Sequence, residues 1–120
     1  MGENLVVIQG KLGKDPDLRY TPGGTAVCKF SMAVSKKFTD KQGKKQEKTY
    51  WASVVAWGKL AEICGKYLVK GQECLIRGEL GMNEWEKDGV KHRDTEITAD
   101  RMNFCGSAPR AKEEEEDIPF

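Results

Sequence analysis

Residues 48–68 read KTYWASVVAWGKLAEICGKYL, and the hydrophobic pattern of this stretch changes its period half-way along. The first half, residues 48–57, is rich in β-branched and aromatic side chains and predicts a β-strand. In the second half, residues 58–68, apolar side chains recur at helical spacing and predict a helix with one apolar stripe. That stripe comprises Leu60, Ile63, Cys64, Tyr67 and Leu68.

The sequence on both sides of this stretch predicts short strands separated by turns. Residues 25–35 alternate between apolar and polar side chains, which is typical of a half-buried strand. Turns are signalled by the Pro-, Gly- and Asp-rich segments at residues 15–17 and 22–24. Three strands, one helix and two strands is the element order of an OB-fold. We therefore expect an all-β fold with one short helix, built as a five-stranded Greek-key barrel. The strands are expected at residues 4–12, 25–35, 48–57, 72–81 and 93–104.

The formal net charge of +1 hides two regions of opposite charge. Residues 113–117 are five consecutive acidic residues, whereas residues 1–112 carry 20 basic and 14 acidic residues, a net charge of +6. A block of like charges repels itself and buries no apolar surface, so the acidic tail is expected to be disordered. The sequence thus predicts a folded domain at residues 1–105, a short linker at residues 106–112 and an acidic tail at residues 113–120.

The composition argues against membrane, secreted and metal-binding proteins. No stretch approaches the roughly 18 consecutive apolar residues of a membrane span, and the N-terminus lacks the features of a secretory signal. The single histidine, His92, is distant in sequence from every cysteine, and no two cysteines have the close spacing of a zinc site. We expect a cytoplasmic protein with buried thiols, no metal and no cofactor. The four cysteines are Cys28, Cys64, Cys74 and Cys105.

Residues 36–48, KKFTDKQGKKQEK, contain six lysines and two acidic residues, and we expect them to form an exposed loop between two strands. A solvated Lys-rich loop is common and needs no function. Alternatively, the lysines bind phosphate groups while Phe38 stacks on a base. Taken alone, the segment favours the solvated loop.

Trp51 and Trp57 lie six residues apart on one predicted strand, and an even separation places both side chains on the same face. If Tyr50 and Val54 fill the interior of the barrel, both indoles face outward. Two outward indoles on one strand are unfavourable unless they bind a ligand. The alternative is that both are core residues, which is the usual position of Trp in a small domain.

Trp85 lies in GMNEWEKDGVKHR, residues 81–93, where Asp88-Gly89 is a strong hairpin signal. A hairpin tip that protrudes from a small barrel has no core to enter, so we expect Trp85 to contact a ligand. A ligand of bases and phosphates accounts for the aromatic residues and the lysines together. The predicted DNA-binding residues are Phe38, Trp51, Trp57, Trp85, Lys36, Lys37, Lys44, Lys45, Lys59 and Lys87.

The last four residues place an apolar tip on an acidic tether. Ile118 and Phe120 can fill a pocket of a partner protein while the carboxylates meet a basic rim. By composition alone, a tail that only improves solubility is the better interpretation. The predicted docking residues are Asp117, Ile118, Pro119 and Phe120.

With these features in place, the sequence resembles the bacterial single-stranded DNA-binding proteins (SSBs) over residues 4–105 and again at the C-terminus. Its opening VIQGKLGKDPDLRYTPGG (residues 7–24) is similar to the first-strand region of that family. The most specific segments are WGKLAE (residues 57–62), YLVKGQ (residues 67–72) and the C-terminal DIPF after a run of acidic residues.

The resemblance implies a homotetramer of OB-folds that binds and wraps single-stranded DNA without sequence preference. It implies base stacking by Phe38, Trp51, Trp57 and Trp85, although the family commonly has Trp in place of Phe38 and Phe in place of Trp57. It further implies a bacterial, nucleoid-associated protein, of chromosomal, phage or plasmid origin.

The resemblance also implies that the DIPF tip docks replication, recombination and repair proteins. Two features depart from the family. Ala52 stands where some members have a His near the subunit interface, and the linker at residues 106–112 is far shorter than the Gly-, Pro- or Gln-rich linkers of many members. A short tether keeps the tip close to the barrel.

Two other functions are compatible with an OB-fold. A primosomal or RNA-binding accessory factor need not carry the DIPF tip, so the tip argues against it. A small nuclease would need carboxylates clustered around a metal, whereas Asp15, Asp17, Asp40 and Glu62 are interpreted as turn and surface residues. With one histidine and no nucleophile–base grouping, we expect no enzymatic activity.

Overall fold

The computed structural model describes residues 2–105, in which six strands and one helix are present. The elements are β1 (Val6–Leu12), β2 (Asp17–Tyr20), β3 (Ala26–Thr39), β4 (Lys45–Trp57), α1 (Gly58–Tyr67), β5 (Glu73–Lys87) and β6 (Val90–Phe104). Five of the strands close a barrel, because each pairs with the next in the order β1–β5–β6–β4–β3 and β3 returns to pair with β1. The expected five-stranded all-β barrel with one short helix is confirmed. The predicted linker and acidic tail, residues 106–120, lie outside the described residues.

The core fills the interior of the barrel and is closed by α1. The helix begins at Gly58, whose φ of +66° is favourable only for glycine, and it buries Ala61 and Cys64. Leu68, directly after the helix, is also buried, so the predicted apolar stripe does face the core. Alternate residues of β3 supply much of the remaining interior, as their period of two predicts. The core comprises Leu12, Ala26, Cys28, Phe30, Met32, Val54, Ala56, Ala61, Cys64, Leu68, Cys74, Ile76, Ile97, Ala99 and Met102.

The cysteines are part of this packing. Cys28, Cys64 and Cys74 are buried, as expected, and Cys105 is half-buried. Burial raises the pKa of the Cys64 and Cys74 thiols to about 12, so both stay protonated at neutral pH. A protonated buried thiol behaves as a small apolar side chain and is a poor nucleophile.

Two paired strands extend well beyond the barrel, and they correct the prediction of a loop at residues 36–48. The β3–β4 ladder runs without a register shift from Val27–Trp57 to Thr39–Lys45, which leaves only residues 40–44 as a turn. The Lys-rich composition indicated exposure to solvent, and it carried no information on backbone pairing. We call this hairpin end, residues 36–48, the lysine arm.

The β5–β6 ladder forms a second extension. It continues to the pair Lys87–Val90, and Asp88 and Gly89 form the turn with positive φ values of 53° and 77°. The predicted hairpin at Asp88-Gly89 is therefore confirmed. We call residues 81–93 the tryptophan arm.

Two further positions differ from what the sequence suggested. Tyr50, for which an interior position was considered, is 49 % exposed because it lies beyond the end of the core, next to the lysine arm. Residues 17–20, which follow the first predicted turn and for which no strand was predicted, form the short strand β2, which pairs with β3 at the pairs Asp17–Lys29 to Tyr20–Ala26. Four residues with one half-buried leucine give too short a pattern to predict a strand.

Two glycines allow the strands to approach closely enough to close the barrel. A Cβ on Gly10 of β1 would overlap the backbone carbonyl of Ala33 on β3, where these strands meet. A Cβ on Gly78 would overlap the backbone carbonyl of Thr98, at the register shift between β5 and β6. Both positions are restricted to glycine by long-range packing.

Gly78→Ala is expected to lower the free energy of unfolding by about 1–3 kcal/mol, the usual cost of overpacking. Urea unfolding followed by circular dichroism measures this loss. Gly81→Ala is the matched control, since it lies on the same strand and its added Cβ meets only the Glu96 carbonyl oxygen, at 3.6 Å. Equal stability of the two variants would contradict the close crossing at Gly78.

Candidate nucleic-acid interface

Trp51 and Trp57 both project from the outer side of β4, and their shared face is the one that the even spacing predicted. Trp51 is 64 % exposed and Trp57 is 49 % exposed, while Val54 and Ala56 point inward and are buried. The alternative that both are core residues is therefore wrong. Val55 lies on the same side as the two indoles but is buried, and its ladder neighbours are Lys29 on β3 and Thr98 on β6.

The indole of Trp51 rests on a backbone position that has no side chain. A Cβ on Gly13 would lie 2.6 Å from Cζ3 and 3.0 Å from Cη2 of Trp51, well inside van der Waals contact. The Gly13 N–H donates to the carbonyl of Ser31 at 3.1 Å, which fixes this backbone against β3. The exposed indole of Trp51 thus packs directly against the backbone of Gly13. This role of Gly13 was not predicted, because the contact joins residues 38 positions apart in the sequence.

A groove beside Trp51 connects the barrel to the base of the tryptophan arm. Its lining includes Trp51 and Ser53 from β4, Leu80 from β5, and Asp94 and Glu96 from β6. Leu80 is exposed here although its side chain is apolar. The groove therefore offers an aromatic ring, an aliphatic side chain and carboxylate acceptors in one place.

Trp85 lies directly opposite His92 in the tryptophan arm, and their rings are stacked. The ring centroids are 5.3 Å apart with an interplanar angle of 18°, and the indole is still 42 % exposed. The adjacent ladder pair, Glu84 and Arg93, forms an ion pair at 3.4 Å on the other side of the hairpin. The basic residues of this arm are offset by acidic ones, since three Lys or Arg and three Asp or Glu occur in residues 81–93.

The lysine arm carries most of the positive charge that the sequence predicted for the interface. Lys36 lies directly opposite Lys48 in the ladder, and like charges in this arrangement are unfavourable unless an anion lies near them. Phe38 is exposed and lines a shallow cleft together with Lys37 and Lys45. Lys44 is exposed in the turn.

The predicted residues are spread over the barrel face and both arms, and they do not form a single cluster. Strand alternation places Phe38 on the same side of the β3–β4 ladder as Tyr50, whereas Trp51 lies on the other side. Lys59, in the first turn of α1, follows Trp57 closely and is exposed. Lys87 shares its side of the tryptophan arm with Trp85.

Two aromatic residues of this surface were missed from the sequence. Tyr50 was considered only as an interior residue, yet it is exposed and has the Lys48 ammonium 5.6 Å from its ring centroid. From the sequence, His92 was considered only as a metal ligand. The two-residue turn at Asp88-Gly89 could have identified it, because that turn fixes the register and pairs position 85 with position 92.

Residues 2–105 contain no group of three or more His, Cys, Asp or Glu side chains arranged to hold a metal ion. No helix within the same range is long and apolar enough to cross a membrane.

Comparisons with known proteins agree on one family. A model of the single-strand binding protein family matches residues 3–105. The single-stranded DNA-binding protein 1 of Chlorobaculum tepidum is 44 % identical over 108 residues, which cover 88 % of this chain and 67 % of that protein.

Two solved structures are similar to the fold. One is a deletion mutant of the single-stranded DNA binding protein from Thermus aquaticus, with a TM-score of 0.78 and 36 % identity over 88 % of this chain. The match spans 51 % of that chain, about half its length. The other is the Plasmodium falciparum SSB in complex with single-stranded DNA, with a TM-score of 0.81, 26 % identity, and coverage of 88 % of this chain and 97 % of that one.

Asp40 organises the turn of the lysine arm, and its ionisation predicts a pH dependence. Its carboxylate accepts the backbone N–H groups of Lys44 and Gln42, both at 2.9 Å, and the side-chain amide of Gln46 at 3.1 Å. Hydrogen bonding, first from the Lys44 N–H and then from the Gln46 amide, lowers the pKa of Asp40. The turn is therefore stabilised above the ordinary Asp pKa of about 3.9 and loses this stabilisation as the pH falls through the lowered value.

The amide resonance of Lys44 measures this effect in an NMR pH titration. We expect its midpoint below the ordinary Asp value in the native protein. Asp40→Asn keeps an acceptor oxygen but has no charge, so its Lys44 amide is expected to lose this transition. A midpoint at or above the ordinary value would contradict the role of Asp40.

Proposed function

Because the chain belongs to the single-strand binding protein family, we propose that it binds single-stranded DNA without sequence preference and protects it during replication, recombination and repair. The observation that carries this proposal is the exposed indole of Trp51, held on Gly13 beside an open groove. An exposed ring with a fixed position is a stacking platform, and every base has a face that can stack on it.

The distribution of charge supports binding through the phosphates. The lysine arm has six lysines and two acidic residues, so its net charge is strongly positive. Contacts of Lys with phosphates release counterions and give an affinity that falls as the salt concentration rises. They position the strand without distinguishing bases, which fits a protein that coats any single-stranded sequence.

We propose that the protein is a homotetramer. The supporting feature is the start of β1, where the apolar side chains of Val7 and of Leu5, which directly precedes the strand, are exposed. Between Val6 and Gly10, β1 pairs with β5 along one edge only, and the other edge has no ladder partner among the described residues. A second copy could pair with this edge and cover these side chains. Light scattering of the purified protein gives the subunit number.

We also propose that the acidic tip, Asp117 to Phe120, docks replication, recombination and repair proteins. The linker at residues 106–112 has seven residues, so docked partners would lie close to the barrel. In this function the protein works in the bacterial cytoplasm, on DNA of the nucleoid, and has no enzymatic step. Labelled DNA incubated with the protein and Mg²⁺ should stay intact.

Titration with oligo(dT) tests the proposed binding. We expect strong quenching of the tryptophan fluorescence, with an affinity that decreases between low and high salt. Trp51→Ala should weaken binding by about 1–3 kcal/mol, the usual loss for one stacked base. Tyr20→Ala is the control, because Tyr20 is an exposed aromatic residue outside the interface whose hydroxyl donates to Glu62 of α1 at 3.3 Å. Equal affinity of Trp51→Ala and the native protein would show that Trp51 does not contribute to DNA binding.

Deletion of Ile118–Phe120 tests the docking function separately. The truncated protein is expected to lose partner proteins in pull-down experiments while binding single-stranded DNA at least as tightly, because the barrel and both arms are unchanged. Phe120→Tyr, which keeps the ring, serves as a milder variant of the same tip. Retention of partners by the truncated protein would show that docking occurs elsewhere.

A further inference from the structure

Base stacking by Trp85 alone does not explain why the ring of His92 is stacked on its indole. His92 is the only histidine of the chain, and its ring lies 5.3 Å from the indole and nearly parallel to it. One face of the indole is therefore covered by a side chain of the protein. Trp85 is still 42 % exposed, so part of its surface remains open to a ligand.

The neighbouring side chains on the same side of the ladder are mostly polar. The pairs on the same side of the ladder are Asn83–Asp94 and Lys87–Val90, of which only Val90 is a large apolar residue, and it is itself exposed. The Glu84–Arg93 ion pair lies on the other side of the hairpin. Trp85, His92 and Lys91 line an open cleft at this point of the arm.

An indole on a solvent-exposed hairpin otherwise has rotational freedom about two side-chain torsions. A nucleobase that stacks on it must stop that motion, and this ordering reduces the affinity. A parallel imidazole on one face restricts the indole before DNA arrives. The cross-strand position of His92, directly opposite Trp85, sets this restriction by backbone register.

We propose that His92 is a positioning residue for DNA binding: it holds the indole of Trp85 in a fixed plane and so prepares its free face for a nucleobase. This proposal rests on the proposed function, since it assigns a role within the same interface. His92 acts through Trp85 and makes no required contact with the base.

The decisive experiment is a double-mutant cycle on the full-length protein, with oligo(dT) affinity as the readout. His92→Ala should weaken binding about two- to tenfold, the range expected when one side chain must be ordered on binding. His92→Phe, which keeps a ring against the indole, should bind as the native protein does. In a Trp85→Ala background, His92→Ala should cause no further loss, because there is no indole left to position. Val90→Ala, on the same side of the same arm, is the control and should leave the affinity unchanged.

A second measurement detects the positioning without DNA. Trp51→Phe together with Trp57→Phe leaves Trp85 as the only tryptophan, so fluorescence anisotropy decay reports the motion of its indole. Adding His92→Ala should increase the fast motion, and adding His92→Phe should not. This readout applies even if the affinity of a variant is affected by a change in stability.

The outcomes separate the two proposals. If the native protein fails to bind oligo(dT), the proposed function is wrong. If it binds and His92→Ala binds equally well with unchanged indole motion, the positioning role is wrong and the function stands. A loss from His92→Ala that persists in the Trp85→Ala background would overturn positioning in favour of direct contact by the imidazole.

Discussion

Antiparallel backbone pairing that continues after the core has ended is the constraint on which the interface depends. The β3–β4 ladder passes from the buried pair Phe30–Val54 to the exposed pair Thr39–Lys45 with no change of register. The β5–β6 ladder likewise continues to Lys87–Val90. Inside the barrel, apolar packing supports the pairing of the strands. In the arms, the pairing is stabilised by backbone hydrogen bonds and cross-strand side-chain pairs without a core. The arms can therefore carry charged and aromatic side chains at fixed positions without burying them.

The sequence predicted the features that depend on local patterns. The period of two along β3 identified the barrel interior, the helical spacing at residues 58–68 identified α1, and the even separation of Trp51 and Trp57 placed both indoles on one face. Asp88-Gly89 identified a hairpin because that turn needs positive φ values. In each case the decisive information lies within about ten residues of chain.

The features that escaped prediction depend on contacts between distant residues or on where the core stops. Gly13 and Gly78 look like ordinary turn or strand glycines until the indole of Trp51 and the carbonyl of Thr98 are placed against them. Tyr50 is aromatic and lies on the same face of β4 as the buried Val54, as a core residue would, but the core of the barrel ends before its position. The lysines at residues 36–48 correctly indicated exposure, and they were interpreted as a loop because composition does not report whether the backbone of an exposed segment is paired.

The alternation of the lysine arm limits how one DNA strand can use the aromatic residues. Trp51 shares a side of the ladder with Lys37, whereas Phe38 shares the opposite side with Tyr50, Lys36 and Lys48. A strand that contacts Trp51 and Phe38 of the same chain must therefore cross an edge of the hairpin. The charges fit such a path, because lysines occur on both sides of the arm and the like-charged pair Lys36–Lys48 lies beside Phe38 and Tyr50. In the tryptophan arm, acidic and basic residues balance, so there is no comparable excess of charge. Its contribution to binding must therefore come mainly from the ring of Trp85 and from His92, which is stacked on it.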